Sequence, residues 1–175
     1  MRYNIYTKNE SNTARFALGL AGTRPLYVFG INPSTASDMV PDRTMQKVEG
    51  FASRHGFDGF VMLNVYPHRA TDSNDLPTAS DKDLCKRNIE VILHHFQGVE
   101  KPVIWAAWGD TIHKRLYLLD CLSEIHKAIE HWSAEWRHCG TLTQSGNPRH
   151  PSRLGYANAF QRFDLPLYLR RNGSP

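Results

Sequence analysis

Cysteine is scarce in this chain: three in 175 residues, Cys85, Cys121 and Cys139, far apart and with no CxxC pair. That usage excludes a disulfide framework, a zinc ribbon and a four-cysteine iron–sulfur cluster. No stretch approaches the roughly eighteen uninterrupted apolar residues that a membrane span takes. The opening MRYNIYTKNESN has no apolar segment behind its arginine, so no secretory signal is expected. There is no internal repeat, low-complexity tract or Pro/Gly/Ser linker, and no HExxH. The chain is therefore expected to be one soluble cytoplasmic domain over residues 1–175, with no metal and no cofactor.

Charge of one sign is also in short supply. Lys and Arg number 21 against 17 Asp and Glu, a formal +4. The excess is local. From Ser145 onward there are Arg149, Arg153, Arg162, Arg170 and Arg171 against Asp164 alone, which leaves residues 1–144 neutral. Arginine suits bidentate phosphate contact, so an anionic partner such as nucleic acid is one reading; a solvated C-terminal surface is the other.

What is present is an alternation of apolar runs and amphipathic stretches. Arg2–Tyr6 and Ala14–Leu20 read as a strand pair joined by the polar turn Lys8–Asn12. Leu26–Ile31, Phe60–Val65, Pro102–Trp108 and Trp136–Leu142 read as strands, the first three almost unbroken apolar runs. Helices are expected from Asp42 to Arg54, from about Ser80 to Gln97, and from Thr111 to about Trp132. Such alternation predicts an α/β fold with a mainly parallel sheet covered on both faces. The strands end in polar, turn-forming clusters. Ligands bind at the carboxyl ends of strands in open α/β sheets, so these clusters are expected to line one crevice.

In order, the four ends read Gly30-Ile-Asn-Pro-Ser-Thr-Ala36, Gly59-Phe-Val-Met-Leu-Asn-Val-Tyr-Pro67, Ile104-Trp-Ala-Ala-Trp-Gly-Asp110 and Gly146-Asn-Pro-Arg-His-Pro-Ser-Arg-Leu154. With Arg2-Tyr3, Asp42-Arg-Thr44 and Arg69-Ala-Thr-Asp72, they resemble the family catalogued as domain of unknown function 1643 over nearly the whole chain. More remotely, residues 25–155 are similar to the uracil-DNA glycosylase superfamily. That second resemblance implies a three-layer α/β/α sandwich around a mainly parallel four-stranded sheet, with the N-terminal strand pair added. It further implies a hydrolase of the N-glycosidic bond of a modified or mismatched base in DNA. Asn32 matches the asparagine that helps place the attacking water. Asn64 matches the one that reads the edge of the flipped base. His150 matches the histidine facing the base carbonyl, and Leu154 the leucine that pushes into the minor groove. Where the most active branch has an aspartate, this chain has Asn32.

Breaking an N-glycosidic bond leaves positive charge on the sugar and negative charge on the base, so the site needs donors aimed at a base carbonyl and a positioned water. The candidate catalytic residues are Asn32, His150 and Asp42, with Asp72 a further carboxylate in reserve. Asn64, Tyr66 and Ile31 are candidates for holding the base, Tyr66 by stacking. Ser34, Arg69, Arg149, Ser152, Arg153 and Leu154 are candidates for holding DNA. Each also has a plainer reading: Asn32 a turn cap, Asn64 a core amide, His150 a loop histidine, Leu154 core, Arg69 and Asp72 a surface ion pair. The alternatives to a glycosylase are a non-catalytic nucleic-acid or nucleotide-binding module and a hydrolase of free nucleosides or nucleotides.

Overall fold

The computed structural model describes residues 2–173. β1 (Ile5–Lys8) and β2 (Arg15–Leu20) pair antiparallel, with Asn12 in the turn at φ 55°. β3 (Pro25–Gly30) leads to α1 (Arg43–Arg54), then β4 (Gly59–Asn64) and α2 (Lys82–Phe96). β5 (Val103–Ala106), α3 (Tyr117–Ile129), β6 (Glu135–Cys139), β7 (Phe160–Arg162) and α4 (Leu165–Asn172) follow. The seven strands form one mixed sheet in the order β1-β2-β4-β3-β5-β6-β7. β4, β3, β5 and β6 pair in parallel, while β2 and β7 flank them antiparallel.

The apolar runs predict the central strands β3, β4 and β5, because strands buried on both faces need no alternation, whereas the N-terminal strand pair joins the same sheet through β2 and β4 rather than standing beside it. Along β3, Leu26 and Val28 pack with Met45, Val48 and Phe51 of α1. Tyr27 and Phe29 face the other way, toward Ile92 and Phe96 of α2 and Leu122 and Ile125 of α3. α4 joins that second core through Leu165 and Tyr168. The helix starts are set locally. Asp42 accepts from Met45 N at 2.8 Å, Asp81 from Asp83 N and Leu84 N, and Asp164 from Leu167 N, each relieving an orphan N–H. Among the described residues, no helix is long and apolar enough to cross a membrane.

Three expectations need correction. The helix expected over 111–132 is broken: Gly109–Lys114 is a 3-10 turn, and Arg115 is extended (φ −139°, ψ 132°) before α3. Its guanidinium reaches the carbonyls of Asn74, Leu76 and Pro77, contacts that a helical Arg115 would forfeit. The first strand begins at Ile5 rather than Arg2, because the Arg2 and Tyr3 amides both donate to Asp38 O. Finally, β7 and α4 extend a chain in which no element was expected beyond Leu142.

Candidate functional site

The path from β3 through α1 places β4 on one side of β3, and the path from β4 through α2 places β5 on the other. The strand order therefore reverses at β3, where an open α/β sheet leaves a crevice at its carboxyl edge. A cleft of about 460 Å³ lies there. Gly30, Ile31 and Asn32 line it from the end of β3, and Trp108 from beyond β5. Asp42 to Met45 contribute from the start of α1, and His150, Ser152 and Arg153 from a late turn. A larger cavity of about 750 Å³ opens beside the starts of β5 and β6, against Lys101, Glu135 and Arg162, and holds none of the sequence candidates.

His150 caps the 3-10 turn Pro151–Arg153. Its Nδ1 accepts from Ser152 N at 3.3 Å and lies 2.8 Å from Ser152 Oγ. An Nδ1 that accepts carries no proton, so the neutral ring holds its proton on Nε2. Burial lowers the imidazole's pKa from its ordinary 6.5, with Asp42 opposing and Arg153 reinforcing the shift. The ring is thus a neutral donor at pH 7. Gly109 permits the approach of this loop. Its φ of +63° is a conformation that residues with a Cβ rarely adopt, and its N donates to Pro148 O at 2.8 Å; a Cβ there would make only an ordinary 3.5 Å contact with His150 Cβ.

Asp42 is the one carboxylate among the described residues lining the cleft. Its Oδ1 caps α1, while Oδ2 makes no hydrogen bond within the described residues. Asn32 donates through Nδ2 to Ala70 O at 2.8 Å and Pro33 O at 3.2 Å, which ties the loop after β4 to the end of β3. Ile31 is buried and presents its edge to the cleft; Ser34 lines it and accepts from the Arg69 guanidinium through its carbonyl.

Asn64 does not line the cleft but lies beneath its floor. It is 0 % exposed, and neither Oδ1 nor Nδ2 has a protein partner. Such an orphaned amide costs about 1–3 kcal/mol per unsatisfied group. Gly30 pairs with Asn64 across β3 and β4, and a Cβ on Gly30 would stand 3.4 Å from Asn64 Oδ1 and 2.7 Å from Met62 Cε. The methyl end of Met62, which lines the cleft, therefore stands over Gly30 next to the orphaned amide.

Other candidates lie elsewhere. Tyr66 is 1 % exposed in the core shared with α2 and α3, its hydroxyl accepting from Asp81 N, so it offers no stacking face to the cleft. Leu154 is 5 % exposed and packs in the α1 core, while its carbonyl accepts from Lys47 Nζ; a wedge needs a protruding side chain. Arg149 is turned back onto Thr141 O and Leu142 O and does not line the cleft. Arg69 is bound to Ser34 O, Ala36 O and the Tyr6 hydroxyl rather than to Asp72, which caps the turn Ser73–Asp75.

Two cleft residues escaped sequence reasoning. Arg15, at the start of β2, is 2 % exposed and lines the cleft. The available signal was a charge inside the apolar run Ala14-Arg-Phe-Ala-Leu18, which resembled an ordinary outward position. Arg43 follows Asp42 and is exposed to the cleft. Below the cleft runs a polar chain. Trp108 Nε1 donates to the Tyr168 hydroxyl at 3.3 Å, which donates to Asn147 Oδ1 at 2.6 Å. Asn147 Nδ2 in turn donates to Asp110 Oδ1 at 2.7 Å. Those hydrogen bonds, from Asn147 first and Thr143 second, hold the Asp110 carboxyl below its usual range.

No curated protein and no solved structure matches the chain. Residues 15–152, a span that opens on the buried arginine and closes inside the histidine's turn, match the family described as Protein of unknown function (DUF1643), and the chain belongs to that family.

Proposed function

We propose that the chain is a nucleobase-recognising hydrolase that cleaves the N-glycosidic bond of a modified or mismatched base in DNA, on a three-layer α/β/α fold of the uracil-DNA glycosylase kind. The observation that carries this reading is His150: a neutral imidazole with its proton on Nε2, sharing one cleft with Asp42 and Asn32. A neutral donor at a base carbonyl stabilises the charge that develops as the base departs. Asp42, through its free Oδ2, is placed to take a proton from water or to steady the cationic sugar with its negative charge, which the neutral amide of Asn32 cannot do. The orphaned amide of Asn64 supplies a donor and an acceptor for a base edge, reached when the flexible end of Met62 swings aside. The parallel centre of the sheet and the helices on its two faces agree with the proposed fold.

The test is a panel of oligonucleotides, each carrying one modified or mismatched base, incubated with the purified chain and then cleaved with alkali at abasic sites. One class of base is expected to give product, and His150→Ala to slow it by about 100- to 1,000-fold. A panel without product overturns the reading. One observation favours the non-catalytic alternative: Asn32 spends its Nδ2 on Ala70 O and Pro33 O, as a structural amide would. DNA binding that survives His150→Ala without any abasic product selects that reading.

A further inference from the structure

We propose that the cleft holds a phosphate ester, gripped between Arg15 and the N-terminus of α1, with Arg43 and Arg153 closing over it. The proposal rests on the cleft being a nucleotide site but does not require the glycosidic reaction.

The central observation is a buried guanidinium that makes no ion pair among the described residues. Arg15 Nη1 donates to Ala36 O at 2.8 Å, Nε is buried with no partner, and no protein acceptor engages Nη2 among the described residues. The ion pairs among those residues are Arg2–Glu49, Arg87–Glu90 and Arg137–Glu135, all away from this site. A second cation crowds the first: Arg69, whose Nε is also buried and unpartnered, lowers the Arg15 pKa together with desolvation, the larger cause, to about 10. A buried guanidinium beside a second, half-buried one, with one nearby carboxylate, Asp42, is an arrangement that an anion relieves.

The second observation is independent of the first. Asp42 satisfies the N–H groups of Met45 and Gln46, through Oδ1 and its carbonyl respectively. The N–H groups of Arg43 and Thr44 have no acceptor among the described residues, and both residues line the cleft. A 12-residue helix thus directs two free donors and its positive end into the space that Arg15 faces. Donors arriving from a helix end, a buried guanidinium and two exposed arginines surround a tetrahedral group better than a planar carboxylate. With His150 neutral, the lining cations Arg15, Arg43 and Arg153 outnumber Asp42 by two.

The phosphate has two possible sources, the terminal group of a nucleotide and the diester of a strand. Thermal unfolding and calorimetric titration of the full chain are carried out at fixed ionic strength. The probes are inorganic phosphate, thymidine with its 5′-monophosphate, and a short oligonucleotide with and without a 5′-phosphate. Inorganic phosphate is expected to raise the unfolding midpoint above that in chloride, as a ligand of the native state does. The monophosphate is expected to bind at least about tenfold more tightly than the nucleoside, which is one factor of ten per 1.4 kcal/mol. Dependence of oligonucleotide binding on the 5′-phosphate assigns the terminal source; equal binding of both forms, still lost in the variants, assigns the diester. Arg15→Gln is expected to abolish the phosphate shift. Should that buried substitution prevent folding, the exposed pair Arg43→Gln and Arg153→Gln decides, with a shift reduced to less than half expected. No phosphate-specific shift in the native chain, or an undiminished shift in the folded variants, overturns the proposal. Absence of base excision leaves it standing, because no step in these measurements turns over substrate.

Discussion

A single missing side chain, at Gly30, leaves the space beside Asn64. Gly30 leaves a gap that Met62 Cε half fills, and the orphaned amide lies at its edge. Gly30→Ala would force the Met62 end to yield by several tenths of an ångström. Because that end is flexible, the cost is expected to be modest, about 1–3 kcal/mol in a thermal or urea unfolding experiment. Binding of a base-containing oligonucleotide is expected to fall much further, since the new methyl blocks the approach to Asn64. His150 offers a second residue-scale test. Its pKa is depressed by burial, so as pH falls the unfolded chain takes up the proton first. The stability it contributes is fully present above about pH 6.5, the unfolded value, and is lost as pH falls through the lower folded value. His95, His126 and His138 shift in the same direction, chiefly through desolvation. The unfolding midpoint should therefore hold between pH 7 and 8 and decline below 6.5, with a shallower decline in His150→Asn.

At the scale of an element, α1 combines two tasks in its cap. Asp42 closes the first turn through Oδ1, leaves Oδ2 without a hydrogen bond among the described residues, and lines the cleft. The two tasks separate by substitution. Asp42→Asn keeps a capping oxygen, so its unfolding free energy should stay within about 0.5 kcal/mol of the native chain, while the base excision we propose should be lost. Asp42→Ala loses the cap as well and should cost about 0.5–2 kcal/mol. Equal activity in Asp42→Asn and the native chain would remove the carboxylate from the chemistry. α3 illustrates how an element deceives. The pattern over 111–132 is helical throughout, yet Arg115 finds three carbonyls across a loop and the helix restarts two residues later. Periodicity registers apolar spacing and cannot register a distant acceptor.

Across the whole molecule, what could be read from sequence was what is encoded locally. β3 and β4 are unbroken apolar runs, and Asp42 and Asp81 carry their caps beside the helices they start. Asn32, Asp42 and His150 could be assembled because each follows or precedes such an element. Three things were hidden because they depend on which face the folded chain turns inward. Tyr66 lies two residues past the end of β4 and falls into the α2 core. Leu154 closes the α1 core rather than projecting. Arg15, in a strand of mixed pattern, proves to be the most deeply buried cation of the cleft. β7, only three residues long, gives too short a pattern to recognise, although Asp164 ahead of Leu-Pro was an available helix-start signal before α4.

The polar chain under the cleft makes the far end of the polypeptide a silent participant in whatever occurs above it. Tyr168 belongs to the last helix and touches no ligand space, yet its hydroxyl joins the indole of Trp108 to Asn147, three residues before His150. Burial pushes that phenol up to about 12, so it remains a proton-bearing link across the physiological range. Trimming the chain back to residue 163 would strand the indole and the amide together and relax the segment that aims the imidazole. A shortened product is then expected to fold around an intact sheet and still misplace the His150 imidazole, and Tyr168→Phe should reproduce part of that defect with every residue of the cleft in place.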